Sequence, residues 1–273
     1  MIRIIKNLLS SGRPRRISSR FTKINGIRIH YLKAGHGESK LLFMHGLGAG
    51  CDAYHDTISL LAKKHEVYAF DLPSFGKSQL MRRPFRIDDY VDLTESFLKR
   101  MKLDNVILMG HSAGGLLSVE FASNPDTRKY VKKLVIVDSA GLPKTTDNLR
   151  FLTNLAVINP VNHYMELKKS SNVDRFFDIM TNAVSLLGKN IKNRNLNIFV
   201  TLLFNWSHTC ESKLKKIKAE TLILWGDKDE LFPLDDAYFF KRKIRGSKIK
   251  IVKGYHNWIC FNPAKGKKAL TEI

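Results

Sequence analysis

Short apolar runs alternate with helical patterns along most of this chain. Six strand-like runs fall at residues 40–46, 66–73, 105–110, 132–141, 221–230 and 248–257. Those at 105–110 and 132–141 are continuous apolar runs, as in strands buried on both faces. Between the six runs lie segments such as residues 86–101, where Tyr90, Leu93, Phe97 and Met101 share one helical stripe. The alternation predicts an α/β fold with a mostly parallel central sheet flanked by helices.

The first strands interrupt this alternation. Residues 21–35 read "FTKINGIRIHYLKAG", in which two strand-like runs flank Asn25 and Gly26. This dipeptide favours a two-residue hairpin turn. We therefore expect an antiparallel hairpin at one edge of the sheet.

The strand rhythm stops between residues 141 and 218. Apolar residues recur there at helical spacing, namely Val173, Phe176, Phe177, Met180, Val184 and Leu187. We predict a helical lid at 141–218, inserted between two strands of a core formed by residues 21–140 and 219–273. After Pro263 only ten residues remain, so the final helix is expected to be short or missing.

Residues 1–20 form a basic leader, and the first 37 residues contain no acidic side chain. Its apolar residues Ile2, Ile4, Ile5, Leu8 and Leu9 share one helical face, and arginines follow. The pattern is typical of a helix at an anionic membrane surface. It is also typical of an organelle transit peptide, and a helix packed on the body or a loose tail is the third interpretation.

The net charge of +21 favours contact with anionic surfaces, but the basic residues are spread along the chain without a nucleic-acid motif. We therefore expect no nucleic-acid partner. The three cysteines are far apart and odd in number, which favours a reducing compartment. No run approaches the ~20 apolar residues of a membrane span. The expected location is cytoplasmic, and peripheral attachment to a membrane and import into an organelle are the alternatives.

The most specific motif is "GHSAG" at residues 110–114, which lies between an apolar run and a helical pattern. A sharp strand-to-helix turn would crowd its neighbours, so Gly110 and Gly114 have a steric reason, and Ser112 would be exposed in strained geometry. This arrangement resembles the nucleophile elbow of the α/β-hydrolase family. The resemblance implies that Ser112 is a catalytic nucleophile, whereas a plain helix N-cap is the alternative.

A serine hydroxyl requires a base, and the base requires a carboxylate to fix its tautomer. In this family the histidine follows the last strand, which implies His256 in "GYHNW". The family's acid lies three residues after a glycine and four before a proline, which implies Asp229 between Gly226 and Pro233. Asp227 is the competing candidate.

The oxyanion formed during ester cleavage needs hydrogen-bond donors already in place. Ala113 follows the nucleophile at a helix start and offers its backbone N–H. The second donor is expected from "HGLGAG" at residues 45–50, which resembles the family's oxyanion loop, with Gly46 as a structural turn and Leu47 N–H as donor. The same glycines could cradle a phosphate, but the lysine of a P-loop is missing. His45 is expected to organise this loop.

Residues 71–78, "DLPSFGKS", resemble a further structural turn of the family, Asp-x-x-Gly-x-Gly-x-Ser. Ser74 replaces the first glycine of that pattern. We therefore expect the backbone at Ser74 to avoid the angles that only glycine adopts easily.

A serine nucleophile indicates acyl transfer without a metal or an organic cofactor. We predict a serine esterase or monoacylglycerol-type lipase acting on a small-molecule ester with an apolar acyl group. The aromatic residues that could wall an acyl pocket in the lid, or simply pack its helices, are Phe151, Tyr164, Phe176, Phe177, Phe199, Phe204 and Trp206. Cleavage of C–C bonds, lactones, thioesters or prolyl peptides is the alternative within the fold, and a non-catalytic ligand-binding receptor is the alternative of another class.

Overall fold

An eight-stranded sheet forms the centre of the protein, in the spatial order β1-β2-β4-β3-β5-β6-β7-β8. The computed structural model describes residues 17–143, 153–169, 177, 180–181, 184–185, 188 and 208–273. Its strands are β1 Ser18–Ile24, β2 Ile27–Ala34, β3 Lys40–Met44, β4 Glu66–Phe70, β5 Val106–His111, β6 Val131–Val137, β7 Glu220–Gly226 and β8 Lys248–Val252. The six strands from β4 to β8 in this order pair in parallel, so the predicted mostly parallel sheet is confirmed.

Strands β1 and β2 form the predicted antiparallel hairpin, and β2 also pairs antiparallel with β4. Asn25 and Gly26 connect the two strands with φ angles of 49° and 81°. Both residues are left-handed, as a type I′ turn requires, which explains why this dipeptide closes the hairpin. Strand β1 begins at Ser18, so the strand starts within the last residues assigned to the leader.

Helices cover both faces of the sheet. They are α1 His55–Leu61, α2 Ile87–Met101, α3 Ala113–Ser123, α4 Asn159–Lys169, α5 Leu234–Lys243, α6 Trp258–Phe261 and α7 Lys267–Leu270. Short 3₁₀ turns occur at Cys51–Tyr54, Arg128–Tyr130, Glu211–Lys216 and Pro263–Gly266. The helical stripe predicted for residues 86–101 is the buried face of α2, and the C-terminal helices are short, as expected.

Two apolar clusters hold these layers together. On one face of the sheet, Phe97 of α2, Phe121 of α3 and Phe240 of α5 belong to a single buried cluster. On the other face, Ile58 of α1 and Ile259 of α6 belong to a second cluster. Strands β5 and β7 are buried on both sides, so their sequences are continuously apolar. The edge strand β8, Lys248–Val252, alternates lysine with apolar residues and is partly exposed.

The chain between β6 and β7 is helical in its described part, where a π-helical turn at Asn154–Ile158 leads into α4. Phe177 and Val184 are exposed at their described positions, whereas Met180 is partly buried. The lid residues Phe151, Val173, Phe176, Leu187, Phe199, Phe204 and Trp206 lie outside the described residues, as do residues 1–16 of the leader. Among the described helices, none has the length and apolar character to cross a bilayer.

Candidate active site

Four polar residues gather at the carboxyl ends of neighbouring parallel strands, where ligands of open α/β sheets bind. Ser112 directly follows β5 and Asp138 directly follows β6. Asp229 lies three residues after β7, and His256 lies four residues after β8. Since β5, β6, β7 and β8 are consecutive in the sheet, their ends bring these side chains to one edge.

Ser112 occupies a strained turn between β5 and α3, with φ 56° and ψ −120°. Its backbone N–H donates to Val137 O at 2.9 Å, and its carbonyl accepts the N–H of Ala140 at 3.2 Å. The turn is therefore tied to the adjacent strand β6. A non-glycine residue at such angles costs of order 1–3 kcal/mol, and this strain is characteristic of functional positions.

The two glycines of the pentad have no room for a side chain. A Cβ atom at Gly110 would lie 2.1 Å from the carbonyl oxygen of Gly114, and one at Gly114 would lie 2.2 Å from the carbonyl oxygen of Met44. Both neighbours are backbone atoms, so they cannot move aside easily. The glycines thus let α3 approach β5 and β3 closely enough to form the turn.

The structure brings Asp229 and His256 together. The His256 Nδ1 atom lies 2.8 Å from Asp229 Oδ2, and both side chains are buried. Asp229 Oδ1 accepts the backbone N–H groups of Leu231 and Phe232 at 2.8 and 2.9 Å. With Nδ1–H donated to the carboxylate, Nε2 of the neutral ring is the nitrogen left to accept a proton.

Asp227, the competing acid, has a different role. Its Oδ1 accepts the backbone N–H of Gly254 at 2.9 Å, and this bond ties the β7 loop to the β8 loop. Of the two aspartates, Asp229 is therefore the one that contacts the imidazole.

The histidine that precedes the serine connects three loops of the site. His111 Nε2–H donates to the carbonyl oxygen of His256 at 3.0 Å, and the two rings lie 4.9 Å apart between centroids. The Tyr54 hydroxyl donates to His111 Nδ1 at 2.8 Å and accepts the Gly46 N–H at 2.9 Å. Burial, followed by the neighbouring His256, holds the pKa of His111 well below its usual range, so the ring stays neutral and this chain of donors keeps one direction.

This chain places His256 beside the elbow, but no hydrogen bond joins the Ser112 hydroxyl to the His256 ring among the described residues. Hydrogen bonds between a nucleophile and its base are often long in ligand-free enzymes and tighten when substrate binds.

The glycine-rich loop after β3 lies against the serine. A Cβ atom at Gly46 would be 3.2 Å from Ser112 Cβ, so Leu47, the next residue, follows close to Ser112. Ala113 begins α3 on the other side. Within the described residues, neither the Leu47 nor the Ala113 N–H donates a hydrogen bond.

His45 organises the loop, as the sequence predicts. Its Nδ1 donates to the Gly46 carbonyl at 2.7 Å, and its Nε2 accepts the Leu72 N–H at 2.9 Å.

The expectation for the Asp71 turn is wrong at Ser74. This residue adopts φ 71°, inside the region that favours glycine. Its side-chain oxygen accepts the Met81 N–H at 3.0 Å, and its own N–H donates to Gln79 O at 2.9 Å. These bonds hold the serine in a conformation that its Cβ atom disfavours.

His30, Cys51 and Asp71 form the one cluster with metal-ligand chemistry among the described residues, with ligand atoms within 4.8 Å of each other. The Asp71 oxygens already accept His30 Nδ1–H at 2.7 Å and the backbone N–H groups of Cys51 and Lys77 at 2.6 and 2.7 Å. Although burial opposes ionisation, these donors and His45 lower the pKa of Asp71 to about 2. The cluster is therefore explained as a closed hydrogen-bonded turn around a buried carboxylate.

Two acidic residues of the site were not predicted from the sequence. Asp138 is fully buried, and Glu230 accepts the His256 N–H at 3.2 Å and the Asn159 side-chain amide N–H at 2.6 Å. Glu230 thereby connects helix α4 to the histidine turn. The available signal for Asp138 was its position, because it is the first polar residue after an apolar strand that lies between the strands carrying Ser112 and Asp229.

Known proteins resemble this chain in sequence and in structure. A family model described as alpha/beta hydrolase fold matches residues 40–162. The chain is 25% identical over 252 residues to an Escherichia coli 2-hydroxy-6-oxononadienedioate/2-hydroxy-6-oxononatrienedioate hydrolase, covering 85% of each protein. It is 27% identical over 265 residues to 2-hydroxy-6-oxononadienedioate/2-hydroxy-6-oxononatrienedioate hydrolase 2 of Pseudomonas putida. This match covers 88% of this chain and 90% of that protein.

Solved structures share the fold. The crystal structure of a membrane phospholipase A superimposes with a TM-score of 0.75 at 22% identity, covering 99% of this chain and 89% of that one. At this identity the similarity concerns the fold.

Proposed function

Since this chain belongs to the alpha/beta hydrolase fold family, we propose that it is a serine hydrolase in which Ser112 is the nucleophile, His256 the base and Asp229 the acid. The observation that carries the proposal is the contact of His256 with Asp229, beside a serine held in a strained turn. This is the constellation that activates a hydroxyl group for attack on a carbonyl carbon.

The proposed reaction has two halves. Ser112 Oγ attacks the ester carbonyl carbon while His256 Nε2 takes the hydroxyl proton, and Asp229 stabilises the imidazolium that results. The C–O bond to the alcohol then breaks, the alcohol leaves with the proton from His256, and an acyl-enzyme remains. Water attacks the acyl carbon while His256 takes its proton, the bond between the acyl carbon and Ser112 Oγ breaks, and His256 returns the proton to Ser112 Oγ as the acid leaves.

The negative charge that develops on the carbonyl oxygen requires nearby donors. We assign this task to the backbone N–H groups of Leu47 and Ala113, which flank the nucleophile on the loop after β3 and at the start of α3. Each oxyanion donor contributes about 3–4 kcal/mol to transition-state stabilisation in enzymes of this kind.

The substrate we propose first is a small carboxylic ester with an apolar acyl group. The His256 ring is contacted by Phe232 at 5.3 Å between centroids, by the neutral His111 ring and by Asp229. Glu230 adds a second acidic group at the His256 N–H. These described neighbours are apolar, neutral or acidic, which favours an uncharged substrate over an anionic one.

C–C bond hydrolysis is the second candidate, and the relatives favour it. The Escherichia coli and Pseudomonas putida proteins are named for hydrolysis of dienedioates, which carry two carboxylates. That substrate would bring two negative charges toward a site whose described neighbours include two acidic residues, Asp229 and Glu230.

A fluorophosphonate probe tests the proposed nucleophile. Wild type should be labelled, whereas Ser112→Ala should fold normally and remain unlabelled. Labelling that persists in Ser112→Ala would identify another nucleophile, and a folded but unlabelled wild type would favour the ligand-binding receptor.

A substrate comparison then separates the two reactions. Turnover of a series of esters from acetate to palmitate is measured beside turnover of a 2-hydroxy-6-oxo-dienedioate. Faster ester cleavage supports the first candidate, and faster dienedioate cleavage supports the second.

We propose an anionic membrane surface as a further partner through residues 1–20, because the sequence of this segment places apolar residues at helical spacing ahead of several arginines. Full-length protein and protein beginning at Phe21 are compared in co-sedimentation with phosphatidylserine-containing vesicles. Stronger binding of the full-length chain supports the proposal, and equal binding contradicts it.

A further inference from the structure

A buried carboxyl group bridges the two chain segments that carry the proposed acid and base. Asp138 Oδ1 accepts the backbone N–H of Gly226 at 2.7 Å, and Asp138 Oδ2 accepts the indole N–H of Trp258 at 2.7 Å. Gly226 lies three residues before Asp229, and Trp258 lies two residues after His256. We propose that Asp138 is a positioning residue that fixes these two segments relative to each other, an inference that rests on the proposed function of Asp229 and His256.

Both ends of this bridge are immobilised by packing. The Trp258 side chain is fully buried, and glycines lie against it on two sides. A Cβ atom at Gly254 would be 2.7 Å from Trp258 Cβ, and one at Gly266 would be 2.2 Å from Trp258 Cζ3. Because these contacts leave the indole ring one orientation, its N–H is held toward the Asp138 carboxyl group.

The bridge also has an energetic reason. Without the Asp138 carboxyl group, the Gly226 N–H and the Trp258 indole N–H would both be buried without these acceptors. A buried donor left without an acceptor loses its hydrogen bond to water without a replacement, which destabilises the folded state. The least costly relaxation is a movement of the Gly226 or Trp258 segment, and such a movement changes the distance between Asp229 and His256.

Asp138 also acts electrostatically on the proposed acid, because both carboxyl groups are buried and the charge of Asp229 is felt at Asp138. Two neighbouring buried carboxyl groups resist being ionised at the same time. Burial, followed by the charge of Asp229, raises the pKa of Asp138 well above its usual range. Asp138 is thus the carboxyl group of the two that resists ionisation.

The negative charge of the pair then lies on Asp229, where the proposed mechanism uses it to stabilise the His256 imidazolium. Asp229 accepts hydrogen bonds from His256 and from two backbone N–H groups. The carboxylate therefore has no freedom to turn away from the imidazole. A fixed carboxylate holds the imidazole in the orientation required to accept the serine proton.

The first test is Asp138→Asn in the full-length protein. Asparagine keeps the size of the side chain and one acceptor, but its amide group places N–H atoms against an N–H donor. With the best ester of the acetate-to-palmitate series as substrate, we expect kcat to fall about tenfold to a hundredfold, because small displacements of catalytic groups have effects of this size. KM should stay within about twofold of the wild-type value.

Glu120→Gln is the matched control. Glu120 is a second buried carboxylate, on α3, and it accepts His208 at 2.8 Å and also contacts Lys213. Loss of its charge should lower the melting temperature and leave kcat unchanged. A wild-type kcat in Asp138→Asn, accompanied by a similar loss of melting temperature, would assign Asp138 a purely structural role and overturn the proposal.

Trp258→Phe provides an independent variant if Asp138→Asn does not fold. It removes the indole donor and keeps an aromatic ring. We expect a fall in kcat in the same direction, and in the double variant a loss smaller than the product of the two single losses, because the residues act through one contact. An unchanged kcat in Trp258→Phe, or independent effects of the two changes, contradicts the bridge.

A spectroscopic readout separates this proposal from the proposed function. The proton between His256 Nδ1 and Asp229 is observed by NMR in ¹⁵N-labelled protein, with no substrate present. Its signal should shift or broaden in Asp138→Asn and Trp258→Phe but not in Glu120→Gln. If wild type resists the fluorophosphonate probe, the proposed function fails, and this signal still decides whether Asp138 positions the pair; an unchanged signal overturns the positioning role.

Discussion

His256 Nδ1 lies 2.8 Å from Asp229 Oδ2, whereas the carboxylate of Asp227, two residues earlier, accepts the N–H of Gly254. The two aspartates, both in the loop after β7, therefore make different contacts. Asp229 contacts the imidazole, and Asp227 joins the loops after β7 and β8. Sequence spacing favours Asp229, and the contacts of the two carboxylates provide a physical reason for that choice.

Asp229→Asn should reduce kcat/KM by about 10⁴-fold, because an amide in place of the carboxylate favours the wrong imidazole tautomer and leaves the imidazolium unstabilised. Asp227→Asn should cost less than about tenfold, since it weakens one backbone hydrogen bond worth about 1 kcal/mol. Steady-state kinetics on the best ester found in the substrate screen measure both. The reverse ranking would assign the acid to Asp227.

A second prediction concerns the close approach of α3 to β5. Gly110→Ala should destabilise the protein by about 3 kcal/mol or more, because the new methyl group meets the Gly114 carbonyl at 2.1 Å. Gly26→Ala is the control, because a Cβ atom at Gly26 would meet no other atom within 4 Å. Its cost is that of an alanine at a φ of 81°, about 1 kcal/mol. Chemical denaturation measures the two free energies of unfolding. Equal losses would show that the elbow tolerates the extra atom.

Features that depend on neighbouring residues could be predicted from the sequence, and features that depend on distant contacts could not. The hairpin turn at Asn25 and Gly26 follows from the left-handed preference of these two residues, and the turn at Ser112 follows from the glycines beside it. Asp138 was missed because its partners, Gly226 and Trp258, lie 88 and 120 residues away in sequence.

Ser74 shows how a local rule fails. The replacement of glycine by serine predicts that the backbone leaves the left-handed region, yet the observed φ is 71°. The hydrogen bond from Met81 N–H to the serine oxygen, together with the surrounding Asp71 turn, outweighs the strain. Backbone propensities consider each residue by itself, so they do not predict a hydrogen bond between the Ser74 side chain and the N–H of Met81, seven residues later.

This balance predicts the effects of two substitutions at position 74. Both Ser74→Ala and Ser74→Gly lose the hydrogen bond from Met81, worth about 1 kcal/mol. Glycine also relieves the left-handed strain, so Ser74→Gly should be the more stable of the two variants by about 1 kcal/mol. Urea denaturation of both variants checks the order. If Ser74→Ala is the more stable, the backbone strain inferred at this position is absent in solution.

The last prediction concerns His163 of α4, which is fully buried and accepts the Asn257 N–H at Nε2 at 3.2 Å. Burial, followed by the charges of His256 and Lys265, lowers the pKa of His163 to about 3. In the unfolded chain a histidine titrates near ~6.5. Between these two pKa values His163 is protonated in the unfolded chain but neutral in the folded protein. Its contribution to the free energy of unfolding is therefore complete above about pH 6.5 and is lost as the pH falls.

The loss amounts to about 1.4 kcal/mol per pH unit, or about 2 kcal/mol between pH 7 and pH 5. His163→Gln retains an acceptor for the Asn257 N–H and does not titrate, so its free energy of unfolding should fall less than that of wild type by about this amount. Asp236, whose pKa burial raises to about 6, acts in the opposite sense but is present in both proteins. Urea denaturation at pH 7 and pH 5 measures the difference. Parallel losses in the two proteins would mean that His163 is protonated in the folded state, and that the contact between α4 and the histidine turn survives that proton.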